Sequence, residues 1–183
     1  MYMKKNNIVV LAIFILISSG SILPCTTMAQ DTKIIADSKA AMEAFTGKDP
    51  LMVTLFENSY GYVIFPNVGK GGIGIGGAAG NGVVYEGKQL IGAAKMKQVS
   101  IGFQFGGQAY REVIFFENGA ALDRFKENRF EFAAQASAVA VTTGVSTNVK
   151  YRDGVMVFTQ EKGGLMYEAS IGGQKFKYTP NGE

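Results

Sequence analysis

The chain has 183 residues and a formal net charge of +3, with one cysteine and no histidine. The lack of histidine excludes Ser-His catalytic triads and histidine-ligated metal sites, and a single cysteine cannot form an intramolecular disulfide. Because the net charge is small and the basic residues do not cluster on one predicted face, duplex nucleic acid is not an expected partner.

The N-terminus has the features of a secretory signal peptide. A basic pair, Lys4 and Lys5, precedes the apolar run IVVLAIFILI at residues 8–17, which is too short to cross a membrane as a helix. Small residues at Thr27 and Ala29 supply a cleavage site. The sequence therefore predicts export, either to the periplasm or to the medium.

Processing of this signal has two alternatives. Cleavage of residues 1–29 leaves residues 30–183, a length that suits one domain with its own core, and removes Cys25 with any thiol chemistry. Loss of the two N-terminal lysines also lowers the net charge to +1. The other alternative is a lipoprotein signal acylated on Cys25, although Pro24 stands where such sites have a small residue.

Two helices are predicted at the start of the processed chain. In the segment DTKIIADSKAAMEAF, residues 31–45, apolar residues from Ile34 to Phe45 recur at helical spacing and form one stripe. A second helix begins at DPLMVTLFENS, where Asp49 is a typical N-cap and Pro50 occupies the first helical position.

From Tyr62 onward the chain is predicted to be mostly strand. Runs such as YGYVIFP, QLIGAAKM, TNVKY and GVMVFTQ are rich in β-branched and aromatic residues, and Asn81-Gly82 is typical of a two-residue hairpin turn. One helix, capped by Asn118, interrupts them. Because helices segregate from strands, the predicted class is α+β. We expect about nine strands in one highly curved antiparallel sheet, a barrel-like sandwich with two N-terminal helices and one inserted helix.

The glycine-rich stretch GKGGIGIGGAAGNG, residues 69–82, matches nucleotide-binding motifs only in part. GIGIGG has the G-x-G-x-x-G spacing, but Asn-Gly and another strand follow it instead of the helix that a dinucleotide fold requires. GVVYEGK begins like a P-loop, but Gln89 stands where a magnesium-binding Ser or Thr is needed. We therefore expect neither a nucleotide nor any other cofactor.

Strand alternation explains the glycines better. Gly72, Gly74 and Gly76 would share one face of a strand with bulky side chains on the other, and the run SIGFQFGG repeats this pattern. The bulky residues, which we expect to be buried in the core, are Ile73, Ile75, Ile101, Phe103 and Phe105. The bare face would be covered by a helix or second sheet, or it would hold an acyl chain or lipid head group.

Lysines are the candidate ligands for a phosphate group. Lys95 and Lys97 share a face if their segment is extended. Lys70 and Lys162 each precede Gly-Gly, and backbone amides in such turns can form an anion-binding nest. The alternatives are a solvated strand end for the first pair and ordinary hairpin turns for the second.

Carboxylates are the only candidates for catalysis, since paired carboxylates perform acid–base chemistry when burial separates their pKa values. Those at predicted strand or turn positions are Glu112, Glu117, Glu131, Asp153 and Glu168. No two of them form an evident pair in the sequence. We therefore expect no enzyme, with an unrecognised hydrolase or transferase as the enzymatic alternative.

Four blocks of the chain resemble the SYLF-domain family, whose eukaryotic members are called lipid-binding or actin-binding. They are GYVIFPNVGKGGIGIGGAAGNGVVY, SIGFQFGGQAYREVIFF, ALDRFKENRFEFAAQASAVAV and GVMVFTQEKGGLMYEASIGGQKFKY. The resemblance covers roughly residues 42–178, which is nearly all of the chain after the predicted signal peptide.

This resemblance implies a non-enzymatic domain that binds phospholipid membrane surfaces. For an exported bacterial member, anionic phospholipid of the cell envelope is the expected partner, and actin is not. The family's lipid contacts are associated with an N-terminal amphipathic helix and basic residues, which correspond here to residues 32–45 with Lys33 and Lys39. The alternative is a structural or protein-interaction domain of the envelope with no specific lipid ligand.

Overall fold

The fold is known from a computed structural model, which describes residues 25–73, 75–101, 108–128, 130–132, 137–141, 149–162 and 168–182. Most of the predicted signal peptide, residues 1–24, lies outside the described residues. None of the helices in the described part of the chain combines the length and the apolarity that a membrane-spanning helix needs.

Two helices open the described chain, as the sequence predicts. Helix α1 spans Cys25–Thr46, so it begins six residues before the predicted segment, and helix α2 spans Pro50–Asn58. Asp49 caps α2, because its side chain accepts a hydrogen bond of 2.9 Å from the backbone N–H of Leu51. Phe45, the last residue of the predicted apolar stripe, is fully buried.

The rest of the described chain forms one sheet of eight strands and one further helix. The strands are β1 (Gly61–Ile73), β2 (Ile75–Glu86), β3 (Gln89–Ile101), β4 (Gln108–Phe116), β5 (Ser137–Ala140), β6 (Val155–Glu161), β7 (Glu168–Ser170) and β8 (Gln174–Pro180). Helix α3 (Gly119–Lys126) follows β4 and is capped by Asn118, as predicted. The α+β class is confirmed. A strand is predicted at TNVKY, residues 147–151, but the described part of this segment, residues 149–151, is not a strand.

The order of strands across the sheet is β7-β5-β6-β4-β1-β2-β3-β8. Every neighbouring pair is antiparallel except β5 and β6, which run parallel. The sheet is therefore mixed, which corrects the wholly antiparallel sheet that the sequence predicted. The parallel pair arises because the chain reaches β6 from β5 by a long connection and not by a hairpin.

The sheet curls so strongly that its two edges approach each other. Strands β7 and β8 are the two edges, yet only residues 171–173 connect them. Four Cα–Cα steps of about 3.8 Å reach about 15 Å at most. A flat sheet of this order, with strands about 4.8 Å apart, would separate its edges by about twice that distance. The predicted barrel-like curvature is thereby confirmed.

The curl creates an inner and an outer core. On the inner side, Phe116 of β4 packs against Phe125 of α3 with ring centroids 5.3 Å apart, and Phe125 lies equally close to Phe176 of β8. Helix α3 therefore packs inside the curled sheet. On the outer side, Phe115 of β4 packs edge-on against Phe56 of α2. Both faces of β4 are thus covered.

The hairpin turn predicted at Asn81-Gly82 is wrong. Both residues lie inside β2, where Asn81 pairs with Asn67 of β1. The β2–β3 hairpin turns instead at Gly87, whose φ is +57°. A Cβ atom on Gly82 would lie 2.5 Å from the carbonyl oxygen of Ile64, so this glycine permits a close approach of two strands. Tertiary packing, not turn geometry, explains the Asn-Gly pair.

The glycine-rich stretch does not form one continuous strand. β1 ends at Ile73 and β2 begins at Ile75, and these two residues pair with each other, so the stretch spans a hairpin. The strand faces predicted for it concern side chains outside the described part of the structure, namely those of Gly72, Ile73, Gly74, Ile75, Ile101, Phe103 and Phe105. Their burial stays a prediction.

Candidate functional site

Four lysines lie side by side on β3 and β8. In the antiparallel register, Lys95 pairs with Lys177 and Lys97 pairs with Lys175. Residues that lie directly opposite each other in such a pair have Cβ atoms about 4.5–5.5 Å apart. All four lysines are exposed, so they form one compact basic surface, which we call the lysine strip.

Strand alternation places the lysine strip outside. Met96 and Phe176, which lie between the lysines in sequence, are buried in the inner core. The lysines on either side of them must then point outward. Val99 continues the outward positions of β3 and is 72% exposed, so an apolar side chain extends the basic surface.

The lysine strip is poorly neutralised. Glu131 reaches Lys175 with an oxygen–nitrogen distance of 3.4 Å, but both side chains are well exposed, and surface pairs of this kind contribute little. Among the described residues, no carboxylate forms an ion pair with the other three lysines. Like charges directly opposite each other destabilise a sheet. The arrangement therefore costs some stability, which points to a role outside folding.

The lysines predicted on the N-terminal helix have a different environment. Lys33 and Lys39 are both exposed on α1, and Lys33 forms an ion pair of 2.6 Å with Asp37 one turn later. Asp37 also accepts a hydrogen bond of 3.2 Å from Asn67, whose side-chain oxygen accepts one from Lys162. Lys33 and Lys162 thus meet around one carboxylate, on α1 and at the end of β6.

The anion-binding nests predicted from Gly-Gly turns are not supported equally. Burial and the neighbouring Arg111 lower the pKa of Lys162, while Asp37 raises it, and the glycines that follow Lys162 lie outside the described residues. Lys70 lies within strand β1, paired with Ala78, so the turn expected there is wrong. Its ladder partners on both sides hold the backbone extended. A lipid-binding role for either lysine stays a prediction.

Two members of the lysine strip, Lys175 and Lys177, were missed by the sequence analysis. The signal was present, because QKFKY repeats the lysine–apolar–lysine alternation of AKMKQ. What was missing was the pairing of β3 with β8, two segments that are distant in the sequence. The strip is therefore a product of the fold.

A second polar group lies inside the curled sheet. Glu112 of β4 is fully buried, and its Oε2 atom accepts a hydrogen bond of 2.9 Å from Nε2 of Gln174 in β8. Thr159 of β6 lies directly opposite Glu112, and the next pair on this face is Tyr110 with Glu161. We call these five residues the inner oxygen cluster.

Burial dominates the electrostatics of this cluster. It raises the pKa of Glu112 to about 7, while the hydrogen bond from Gln174 acts in the opposite direction. Burial and the charge of Glu112 also raise the pKa of Tyr110. Of the carboxylates considered in the sequence analysis, Glu117, Glu131 and Asp153 are exposed. Glu161 was not anticipated, because its proximity to Glu112 depends on the β4–β6 register.

The pattern of His, Cys, Asp and Glu side chains gives no stronger centre elsewhere. The described ranges contain no group of three or more such residues placed to hold a metal ion. Within the described residues, the lysine strip and the inner oxygen cluster are two polar arrangements in which the fold brings distant strands together.

Comparison with known proteins gives a family match over the C-terminal part of the chain. Residues 97–180 match the Ysc84 family, described as "Las17-binding protein actin regulator". The Aeromonas veronii protein named beta cell expansion factor A is 27% identical over 153 residues, which are 81% of this chain and 58% of that protein. The chain therefore spans less than two thirds of that relative's length. The resemblance noted in the sequence is confirmed over residues 97–180, which match the model of the SYLF (Ysc84) family.

Proposed function

We propose that this chain is a non-enzymatic domain that binds phospholipid membrane surfaces of the bacterial cell envelope and favours anionic lipids. The observation that carries the proposal is the lysine strip, in which Lys95, Lys97, Lys175 and Lys177 meet on one exposed face with little compensating charge. The family's general role in lipid or actin binding is consistent with it.

Simple electrostatics makes such a surface selective for anionic lipid. A lysine close to an anionic bilayer contributes about 1 kcal/mol, so four contribute enough for measurable binding. Ammonium groups act as point charges without a fixed geometry, which suits a fluid array of phosphates. Val99 adds an exposed apolar side chain that can enter the interfacial region beside the lysines.

Helix α1 is less suited to be the main contact. Its buried residues, which include Ser38, Ala41 and Phe45, already face the protein, and the helix packs against β1 and β2. Lys33 is engaged with Asp37. The side chains described for this helix, from residue 31 onward, therefore form no second apolar face to offer a bilayer. We assign Lys33 and Lys39 at most a supporting electrostatic role.

Location completes the proposal. The signal peptide predicted at residues 1–29 would deliver one domain, residues 30–183, to the periplasm or the medium. There it would meet envelope phospholipid and would not meet actin. A protein partner is the competing role, since the family description names a protein-binding actin regulator.

Liposome co-sedimentation tests the proposal. Residues 30–183 are used, because the apolar run at residues 8–17 would bind membranes by itself. Binding is measured on vesicles of phosphatidylcholine alone and with phosphatidylglycerol, each at low and high salt. We expect binding only with the anionic lipid, and weaker binding at high salt because screening shortens the reach of exposed charges.

Two variants with the same loss of charge locate the contact. One replaces the lysine strip by alanine. The other replaces Lys48, Lys88, Lys150 and Arg152, which are exposed elsewhere. We expect the first to weaken binding by about tenfold or more and the second to have a much smaller effect. Equal losses would show that only net charge matters, and no binding to any vesicle would favour the protein-interaction role.

A further inference from the structure

The inner oxygen cluster has unused hydrogen-bonding capacity. Glu112 Oε1, Thr159 Oγ1, Gln174 Oε1 and Glu161 Oε2 are buried, and none has a hydrogen-bond partner among the described residues. Glu112, Thr159 and Gln174 are completely inaccessible to solvent. Buried polar atoms in native proteins are nearly always paired, so several such atoms in one place require an explanation.

These atoms belong to one small region. Glu112 and Thr159 are direct partners across β4 and β6, and Glu161 follows Thr159 on the same strand face, opposite Tyr110. Gln174 reaches the same place from β8, as its 2.9 Å hydrogen bond to Glu112 shows. Three strands lie between β4 and β8 in the sheet order, so the curl of the sheet is what brings Gln174 there.

The region carries negative charge without a matching cation from the described part of the chain. Arg111, next to Glu112 in sequence, points the other way and donates a 3.0 Å hydrogen bond to Gln160. Lys162, next to Glu161, donates to Asn67 instead. Neither carboxylate forms an ion pair with a described lysine or arginine. An unpaired buried carboxylate is costly, and a bound cation would remove that cost.

We propose that Glu112, Glu161, Thr159 and Gln174 bind a hard divalent cation of the Ca²⁺ type. Carboxylate, amide carbonyl and hydroxyl oxygens, completed by water, form the ligand set that Ca²⁺ uses, and its flexible coordination accepts such a mixture. The cluster offers no nitrogen or sulfur ligand, which disfavours softer metals. The lack of histidine, which excludes histidine-ligated metal sites, does not exclude this site, because all of its proposed ligands are oxygen atoms.

The existing hydrogen bond organises the proposed site. Because Nε2 of Gln174 donates to Oε2 of Glu112, the two remaining oxygens, Oε1 of each residue, stay available to a cation. Only two of the four ligands are charged. Affinity for Ca²⁺ rises with the number of charged ligands, so two carboxylates predict a weak site, with a dissociation constant of about 10⁻⁴–10⁻³ M as in extracellular modules.

Terbium luminescence tests the site directly, on the full chain and without lipid. The chain has no tryptophan, so excitation reaches bound Tb³⁺ only from tyrosine or phenylalanine, and Tyr110 belongs to the cluster. We expect saturable Tb³⁺ emission that Ca²⁺ displaces, and a Ca²⁺-dependent rise of the melting temperature that matched NaCl does not reproduce. If there is no saturable emission, the proposal is wrong.

Three variants connect binding to the cluster. Glu112→Gln keeps the shape but removes a charged ligand, and we expect Ca²⁺ affinity to fall by about tenfold or more. Thr159→Val removes a neutral ligand at nearly constant volume and is expected to weaken binding less, which provides a second test if the first variant folds poorly. Glu131→Gln removes an exposed carboxylate and should bind like the wild type. Unchanged affinity in both cluster variants would overturn the proposal.

Discussion

The lysine strip and the inner oxygen cluster contain similar numbers of polar side chains, yet their physical situations are opposite. In the strip, like charges face water, where solvent screens their repulsion. In the cluster, carboxylates face the inner side of the curled sheet, where burial raises the pKa of Glu112 to about 7. Strand β8 contributes to the lysine strip and to the inner oxygen cluster. Its Lys175 and Lys177 point outward, and its Gln174 and Phe176 point inward.

The alternation of side chains along each strand of the curled sheet is enough to separate charged groups in water from buried polar groups. Changes on the inner side should alter the free energy of unfolding, because they act on buried side chains. Changes on the outer strip should alter membrane binding and leave folding almost untouched.

The largest effect is expected from the inner core. Phe125 of α3 is fully buried, with its ring 5.3 Å from the rings of Phe116 and Phe176. Phe125→Ala should lower the free energy of unfolding by about 3–5 kcal/mol, measured by chemical denaturation. The matched truncation on the outside is Val99→Ala, which should change stability by less than about 0.5 kcal/mol. Similar losses in both variants would contradict the assignment of inner and outer faces.

The next largest effect concerns pH. The pKa of Glu112 is raised to about 7 from an ordinary value of 4.5, so the folded protein holds this proton more tightly than the unfolded chain. The protonated Glu112 side chain therefore contributes its full share to the free energy of unfolding below pH 4.5. This contribution is lost as the pH rises through 7. The difference between the folded and unfolded pKa values of Glu112 corresponds to roughly 3 kcal/mol of stability, since each pKa unit is worth about 1.4 kcal/mol. Denaturation across this range with a chelator present measures it.

Glu112→Gln isolates this contribution from other titrating groups. The variant cannot ionise at this position, so its stability should change less between pH 5 and pH 8 than that of the wild type. Above pH 7 it should be the more stable protein of the two, because it has no buried charge. If the two proteins lose stability in parallel, another group is responsible and the buried charge of Glu112 is not the cause.

A smaller effect is expected from a glycine within the sheet. A Cβ atom on Gly82 would lie 2.5 Å from the carbonyl oxygen of Ile64 and 2.7 Å from the ring of Phe65. Gly82→Ala should therefore cost about 1–3 kcal/mol through overpacking. On the neighbouring strand, Gly71→Ala meets no atom within 4 Å and is the control. A stable Gly82→Ala protein would show that this close approach relaxes easily.

The same glycine illustrates how far the sequence could lead. Asp49 and Asn118 were identified as helix caps because capping depends on neighbours within a few residues. Asn81-Gly82 satisfied the local rule for a hairpin, but its place inside β2 was decided by contacts with β1. Local sequence signals predict the structure correctly where neighbouring residues alone determine the favoured conformation. They fail where contacts with another strand determine it.

The two polar sites show the same limit. Lys95 and Lys97 could be found from their spacing, whereas their partners on β8 required the β3–β8 pairing. Glu112 was noticed as a carboxylate, but nothing in the sequence indicates that Thr159 and Gln174 would join it. Such sites depend on the strand order and on the curl of the sheet, which are long-range properties.

The smallest effect on stability is expected from the lysine strip itself. The double variant replaces Lys97 and Lys177 by alanine. These lysines lie on different strands and belong to adjacent pairs, so both pairs lose their repulsion between like charges. That repulsion costs at most about 1 kcal/mol per opposing pair. The melting temperature should stay the same or rise slightly. Binding to anionic vesicles should fall, mainly at low salt, because the lost attraction is long-range and screened.

The sign of the stability change makes this last test informative. If the lysines were needed for folding, for example through carboxylates beyond the described residues, their removal would lower the melting temperature and binding would fall only with the fold. If they serve a membrane surface, the double variant should be at least as stable as the wild type and should bind less well. A variant that is stable and binds anionic vesicles as before would place the membrane contact elsewhere, with Lys33 and Lys39 of α1 as the next residues to replace.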